Sequence, residues 1–181
     1  MPAHKHLRRS LRLEGYDYSQ AGAYFVTTCA QGRECLFGEV DGAAMRLNAA
    51  GEVVERTWTD LGARFPTIEL DAFAVMPNHF HAIVVLAGVT PKLGDVVGAF
   101  KSLSAIAVNR LLLRSGRSLW QRNYYEHIIR TEAALNRIRE YITTNPLRWQ
   151  LDRENPVHTG DDEFDLWLDR FKTGSRGMPA G

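Results

Sequence analysis

Apolar and polar positions along this chain follow two periods, and those periods predict the elements. Residues 1–15 are polar and basic and predict an arm with no core positions. Tyr24-Phe25-Val26-Thr27-Thr28-Cys29 is rich in aromatic and β-branched side chains and predicts a strand. Residues 36–40 predict a short second extended piece, ended by the turn Asp41-Gly42. Over 47–65, Val53, Val54, Trp58 and Leu61 recur at helical spacing, with Asn48 as N-cap and Pro66 as the stop. A strand follows over 68–76, then a turn or bulge at Pro77-Asn78. From His79 to Leu86 the pattern alternates and then becomes continuously apolar, the mark of a well-buried strand. Residues 93–113 form an amphipathic pattern whose stripe holds Val96, Val97, Phe100, Leu103, Ile106, Ala107 and Leu111. A loop spans 114–118, and a strand spans 125–130. Thr131 caps a helix that runs to about Asn145, where Pro146 ends it. The remainder reads as irregular, with a short helix over 163–171.

The resulting order is β, α, β, β, α, β, α. It predicts an α+β fold: a ferredoxin-like antiparallel sheet built on the split β-α-β-β-α-β motif, with helices on one face. A further helix near residue 141 completes it. We see no internal repeat. The chain divides into a basic arm (1–15), one folded domain (16–150) and an acidic tail (151–181).

Composition changes this picture little, and charge changes it more. At 181 residues the chain makes one domain that needs no staples. Cys29 and Cys35 fit a reduced compartment, and no apolar run is long enough to span a bilayer. The expected location is the cytoplasm, at the nucleoid. The net charge of +1 hides an asymmetry. Residues 92–139 carry nine basic side chains against three acids, whereas residues 151–170 carry seven acids against two arginines. Such blocks point to a polyanion as partner for the body of the protein.

Two small constellations carry chemistry. His79 and His81 stand at i and i+2 of a strand, so both point to one face. Spaced about 7 Å along the backbone, they can converge on one divalent ion. Phe80 between them faces the opposite way. Tyr141 and Asn145 stand at i and i+4 on a helix, one turn apart on one face. A phenol ionises near pH 10 and attacks poorly at neutral pH without a polarised electrophile. A carboxamide oxygen suits Mg²⁺ or Mn²⁺. Tyr124 and Tyr125 are rival nucleophiles. Neither a Walker loop nor a phosphate-binding glycine spacing is present, so no nucleotide cofactor is expected.

Together these pieces resemble a known family. The stretches RRSLRLEGYDYSQAGAYFVTTCAQGRECLFGEV, VMPNHFHAIVV, VGAFKSLS and LWQRNYYEHIIRTEAALNRIREYITTNPLRW resemble REP-associated tyrosine transposases, a branch of the single-tyrosine HUH transposases. The likeness spans residues 8–149, and MPNHFHAIV with YITTNP in this order is its most specific part. It implies that His79 and His81 hold a divalent metal, Mg²⁺ or Mn²⁺, with Asn145 completing the site. It implies Tyr141 as the nucleophile, which leaves a 5′-phosphotyrosine and a free 3′-hydroxyl. It implies single-stranded or hairpin DNA as partner, laid over the sheet face near the histidines.

Candidate contacts to that DNA are Arg8, Arg9 and Arg12 on the arm, and Lys101, Arg110, Arg122 and Arg130 on the body. Trp120 and Tyr125 are candidates for stacking on bases, though core packing suits both better. His127 reads as a structural histidine. The acidic tail carries no motif; an autoinhibitory mask is one reading of it. Two other functions compete with strand transfer. One is a repeat-hairpin binding protein that does not cut. The other is a small metal hydrolase that uses water and leaves no adduct. Relatives act as dimers or monomers, and the sequence leaves both open.

Overall fold

The computed structural model describes residues 21–88 and 90–173, so the arm with Arg8, Arg9 and Arg12 lies outside the described residues. The elements in chain order are β1 (Gly22–Cys29), β2 (Gly38–Asp41), β3 (Ala44–Leu47), α1 (Ala49–Thr59) and α2 (Leu61–Arg64), then β4 (Ile68–Val75), β5 (His79–Leu86), α3 (Leu93–Leu111), β6 (Tyr125–Ile129), α4 (Glu132–Thr144) and α5 (Glu163–Thr173). Four strands form one sheet in the order β4-β5-β1-β6, each pair antiparallel. This is the ferredoxin-like arrangement expected from the element order.

Strand alternation gives the sheet two different faces. Tyr24, Val26, Phe80, Ala82 and Val84 point to one, where α1 and α3 bring Val54, Trp58, Val96, Val97 and Phe100. Phe80 is the hub of this layer: its ring centroid lies 5.0 Å from Trp58 and 4.6 Å from Phe100. Phe25, Ile83 and Ile129 point to the other face, where α4 and α5 bring Ile138, Tyr141, Ile142, Phe164 and Leu168.

The local signals for the helix starts act as read. The Asn48 side chain accepts from the amides of Ala50 and Gly51, and Thr131 accepts from Ala134. Gly51 is required for packing, because a Cβ there would lie 2.1 Å from the Phe37 carbonyl oxygen. Three features differ from expectation. The predicted helix over 47–65 begins later and breaks at Asp60, because Ala44–Leu47 pairs with Gly38–Asp41 in a hairpin turned at Gly42 (φ 63°). On α3, Leu103, Ile106 and Leu111 lie outside the core, while Ser104 is buried and accepts from Trp120 Nε1 at 2.8 Å. Pro146 does not end the chain's helical path. It sits in the first turn of a 3-10 segment, Asn145–Leu151, where its missing N–H is not needed.

Candidate active site

β5 opens with His79 and His81, whose ring centroids lie 4.5 Å apart and whose side chains are both buried. Each ring is held by its Nδ1. The Asn78 amide nitrogen donates to the carbonyls of Arg33 and Glu154, at 3.2 and 2.7 Å. That fixes the amide, so Asn78 Oδ1 accepts from Nδ1–H of His79 at 2.9 Å. The proton is thereby placed on Nδ1, and the Nε2 lone pair is free for a cation. Among the described residues His79 Nε2 has no hydrogen-bond partner, although it is buried. His81 Nδ1 meets Thr27 Oγ1 at 2.8 Å, on the neighbouring strand β1.

The far nitrogen of His81 faces the nucleophile candidate. The Tyr141 phenolic oxygen lies 3.3 Å from His81 Nε2. α4 delivers it there because Ile138 and Ile142 bury the same helix face. Arg139 forks onto the Asp71 carboxylate of β4, with Nε at 3.0 and 3.1 Å from its two oxygens. Burial pushes the Tyr141 phenol well above its usual range, and the nearby Asp152, Asp165 and Asp162 push further. Burial first, then His79 and Arg153, holds His81 well below its usual value. A neutral phenol therefore faces a neutral imidazole.

Asn145, expected one turn after Tyr141, is buried at the end of α4. It reaches the histidines through a residue that sequence reasoning missed. Asp152 is buried, and its Oδ2 accepts from Asn145 Nδ2 at 2.9 Å while lying 3.4 Å from His79 Nε2. Ligand atoms of His79, His81 and Asp152 all lie within 4.8 Å of one another. Asn145 Oδ1 is also buried without a hydrogen-bond partner among the described residues. Two imidazole nitrogens and a carboxylate this close together fit a divalent cation.

The segment read as an acidic tail packs over the histidines and the tyrosine. Trp149 stacks on His79, centroids 5.9 Å apart, and Phe164 stacks on Tyr141. The acids do not hold the segment away, because arginines match them. Glu154 pairs with Arg33 at 3.1 Å, Asp162 with Arg148 at 2.5 Å, and Asp165 with Arg153 at 2.9 Å. Phe164 and Leu168, one turn apart on α5, supply the apolar anchor.

The remaining candidates scatter. Lys101 is committed to the fold: its ammonium donates to the carbonyls of Gln121 and Arg122, at 2.7 and 2.9 Å, and burial lowers its pKa. Arg110, Arg122 and Arg130 are exposed. Trp120 is a core residue that packs on Phe37 and Phe100, which removes it as a base-stacking surface. Tyr125 packs edge-on against Phe25, and Tyr124 lies beside the Lys101 ammonium. His127 packs edge-on against Trp167 and is held down to about 4 by burial, then by Arg130. Neither cysteine is in a disulfide. No helix among the described residues is long and apolar enough to cross a membrane.

The family described as IS200-like transposases matches residues 52–145. An uncharacterised protein of Haemophilus influenzae is 35% identical, covering 82% of this chain and 93% of the relative. Among solved structures, a REP-associated tyrosine transposase bound to a REP hairpin is similar, with a TM-score of 0.58 and 19% identity. That likeness covers 76% of this chain and 73% of the other.

Proposed function

The chain belongs to the IS200-like transposase family, and from that premise we propose that it cuts and rejoins single-stranded DNA at repeat hairpins through Tyr141. One observation carries this reading: the Tyr141 hydroxyl stands 3.3 Å from a histidine whose partner imidazole, with Asp152, forms a cation-sized cluster. Burial of the whole group supports it, since buried polar atoms left without partners are costly unless a ligand uses them.

In the proposed reaction the Tyr141 oxygen bonds to phosphorus and the bond to the 3′-oxygen breaks. The products are a 5′-phosphotyrosine and a free 3′-hydroxyl. The covalent link stores the bond, so reversal by another 3′-hydroxyl rejoins strands. Tyr141 must lose its proton to solvent as the bond forms, because the His81 Nε2 that faces its hydroxyl at 3.3 Å would be engaged by the cation. His79, His81, Asp152 and Asn145 would hold a divalent cation, Mg²⁺ or Mn²⁺, which supplies charge stabilisation at the scissile phosphate. Asn78 and Thr27 keep the two rings turned so that Nε2 faces inward. The nucleophile and both histidines come from one chain, so one copy suffices to build the site.

Incubating the full-length protein with labelled hairpin DNA and Mn²⁺, then resolving the products on a denaturing gel, tests the proposal. A protein–DNA adduct of increased mass is expected. Binding of the hairpin without adduct or cleavage would favour the binding-protein reading. Cleavage without adduct would favour a hydrolase.

A further inference from the structure

A second feature on the same end of the sheet takes no part in that chemistry. A pocket of about 610 Å³ opens between the 3-10 turn after β1 and the segment joining α3 to β6. Gln31, Arg114, Arg117, Ser118, Trp120 and Arg122 line it. Three of these side chains are guanidiniums and none is acidic. The counter-charge at the rim is Glu34, 3.4 Å from Arg114 and about half exposed. Arg114 is mostly buried, yet its Nε has no hydrogen-bond partner among the described residues. An unsatisfied buried donor in a basic pocket calls for an anionic acceptor.

The walls are built before any ligand arrives. Leu113 (φ 52°) and Gly116 (φ 74°) turn the chain back on α3. The Arg114 amide donates to the Asn109 carbonyl at 2.8 Å, and Asn109 Nδ2 donates to the Arg117 carbonyl at 2.6 Å. Lys101 holds the carbonyls of Gln121 and Arg122 from below. Trp120 bridges to Ala30 and anchors the floor in the core. The guanidiniums are thus presented on fixed backbone, which lowers the ordering cost of binding.

Position ties this pocket to the candidate active site. Gln31 stands two residues beyond Cys29, and Cys29 pairs with His79 across the sheet. The pocket edge at Gln31 and His79 therefore lie at the same end of the sheet.

We infer that this pocket is a phosphodiester subsite that grips the single DNA strand flanking the scissile bond. The inference rests on the proposed function and names where the substrate strand runs. Forked guanidiniums suit phosphate oxygens. A basic groove that tracks the backbone is how single strands are held without sequence preference.

The test uses the full-length protein and a labelled twenty-nucleotide oligothymidylate (dT20), with binding measured across a salt series. Arg117→Gln and Arg122→Gln are the variants, since both side chains are exposed and their loss spares the core. Each is expected to weaken dT20 binding several-fold and to reduce the slope of log affinity against log salt by about 0.7. Arg56→Gln, exposed on α1 and outside the pocket, serves as the control and should leave both unchanged. Wild-type values in Arg117→Gln and Arg122→Gln, or equal losses in Arg56→Gln, would overturn the subsite. Thymidine monophosphate binding as tightly as dT20 would assign the pocket to a free nucleotide and overturn it too. Absence of wild-type adducts on hairpin DNA would remove the catalytic reading while leaving the dT20 result standing.

Discussion

The ring of Phe164 lies flat on the ring of Tyr141, with centroids 3.7 Å apart and planes 11° from parallel. The proposed nucleophile is therefore covered by α5, and if that cover obstructs the substrate strand, removing the Phe164 ring exposes the hydroxyl. Phe164 is buried, so Phe164→Ala leaves a cavity and costs about 3–5 kcal/mol of stability. The expected outcome is a lower melting temperature together with faster adduct formation at temperatures where the variant remains folded. A folded variant, checked by circular dichroism, that forms adducts more slowly than wild type would show that α5 supports the site and does not obstruct it.

Tyr141→Phe separates chemistry from binding. It removes the hydroxyl that faces His81 and keeps the ring that packs on Phe25 and Phe164. The lost hydrogen bond is worth about 1 kcal/mol, so the fold persists. Covalent adducts should vanish from denaturing gels while hairpin binding stays within a few-fold of wild type. Adducts at the wild-type level would reassign the nucleophile.

The cation site has its own readout. His79→Ala and His81→Ala are expected to abolish both cleavage and Mn²⁺ binding measured by calorimetry, and EDTA should silence the wild type. Asp152→Asn keeps the hydrogen bonding of Asn145 in reach but removes the negative charge beside His79. It should weaken Mn²⁺ binding by an order of magnitude or more, within the roughly 10–100-fold range of perturbed metal sites. Unchanged Mn²⁺ affinity in Asp152→Asn would leave the cation to the histidines and Asn145.

What was legible in the sequence was what is local. Period-2 alternation placed His79 and His81 on one face, and side-chain caps at Asn48 and Thr131 fixed two helix starts. The likeness to a known family supplied the roles proposed for Tyr141 and the histidines, and Tyr141 lies sixty positions from His81 in the chain. What was not legible depends on partners far along the chain. Asp152 looks like one acid in an acidic run. Its burial follows from Trp149, Phe164 and the arginine pairs that dock the segment on the sheet, which no local pattern displays. Only Leu47 of strand β3 falls in the stretch expected as helix, and no local pattern marks Ala44–Leu47 as a strand, because its pairing with β2 decides it. Leu103 and Ile106 were read as core because a helical stripe does not say how wide the covered face is.

The clip between Asp71 and Arg139 offers a pH test of how α4 is held. Arg139 sits two residues before Tyr141 and forks onto Asp71 of β4. That hydrogen bonding is the first cause holding the Asp71 carboxyl below its ordinary value of 3.8; burial opposes it. A lowered native value stabilises the fold when the carboxylate is charged in both states. The contribution is thus complete above about pH 4, the unfolded aspartate range, and disappears as pH falls through the lowered native value. Solvent reaches the pair, which keeps its worth small. Asp71→Asn should therefore melt a few degrees below wild type at neutral pH, and the two curves should converge as the pH falls well below 4. A gap that stays constant into acid would mean that packing, and not this ion pair, fixes α4 against the sheet.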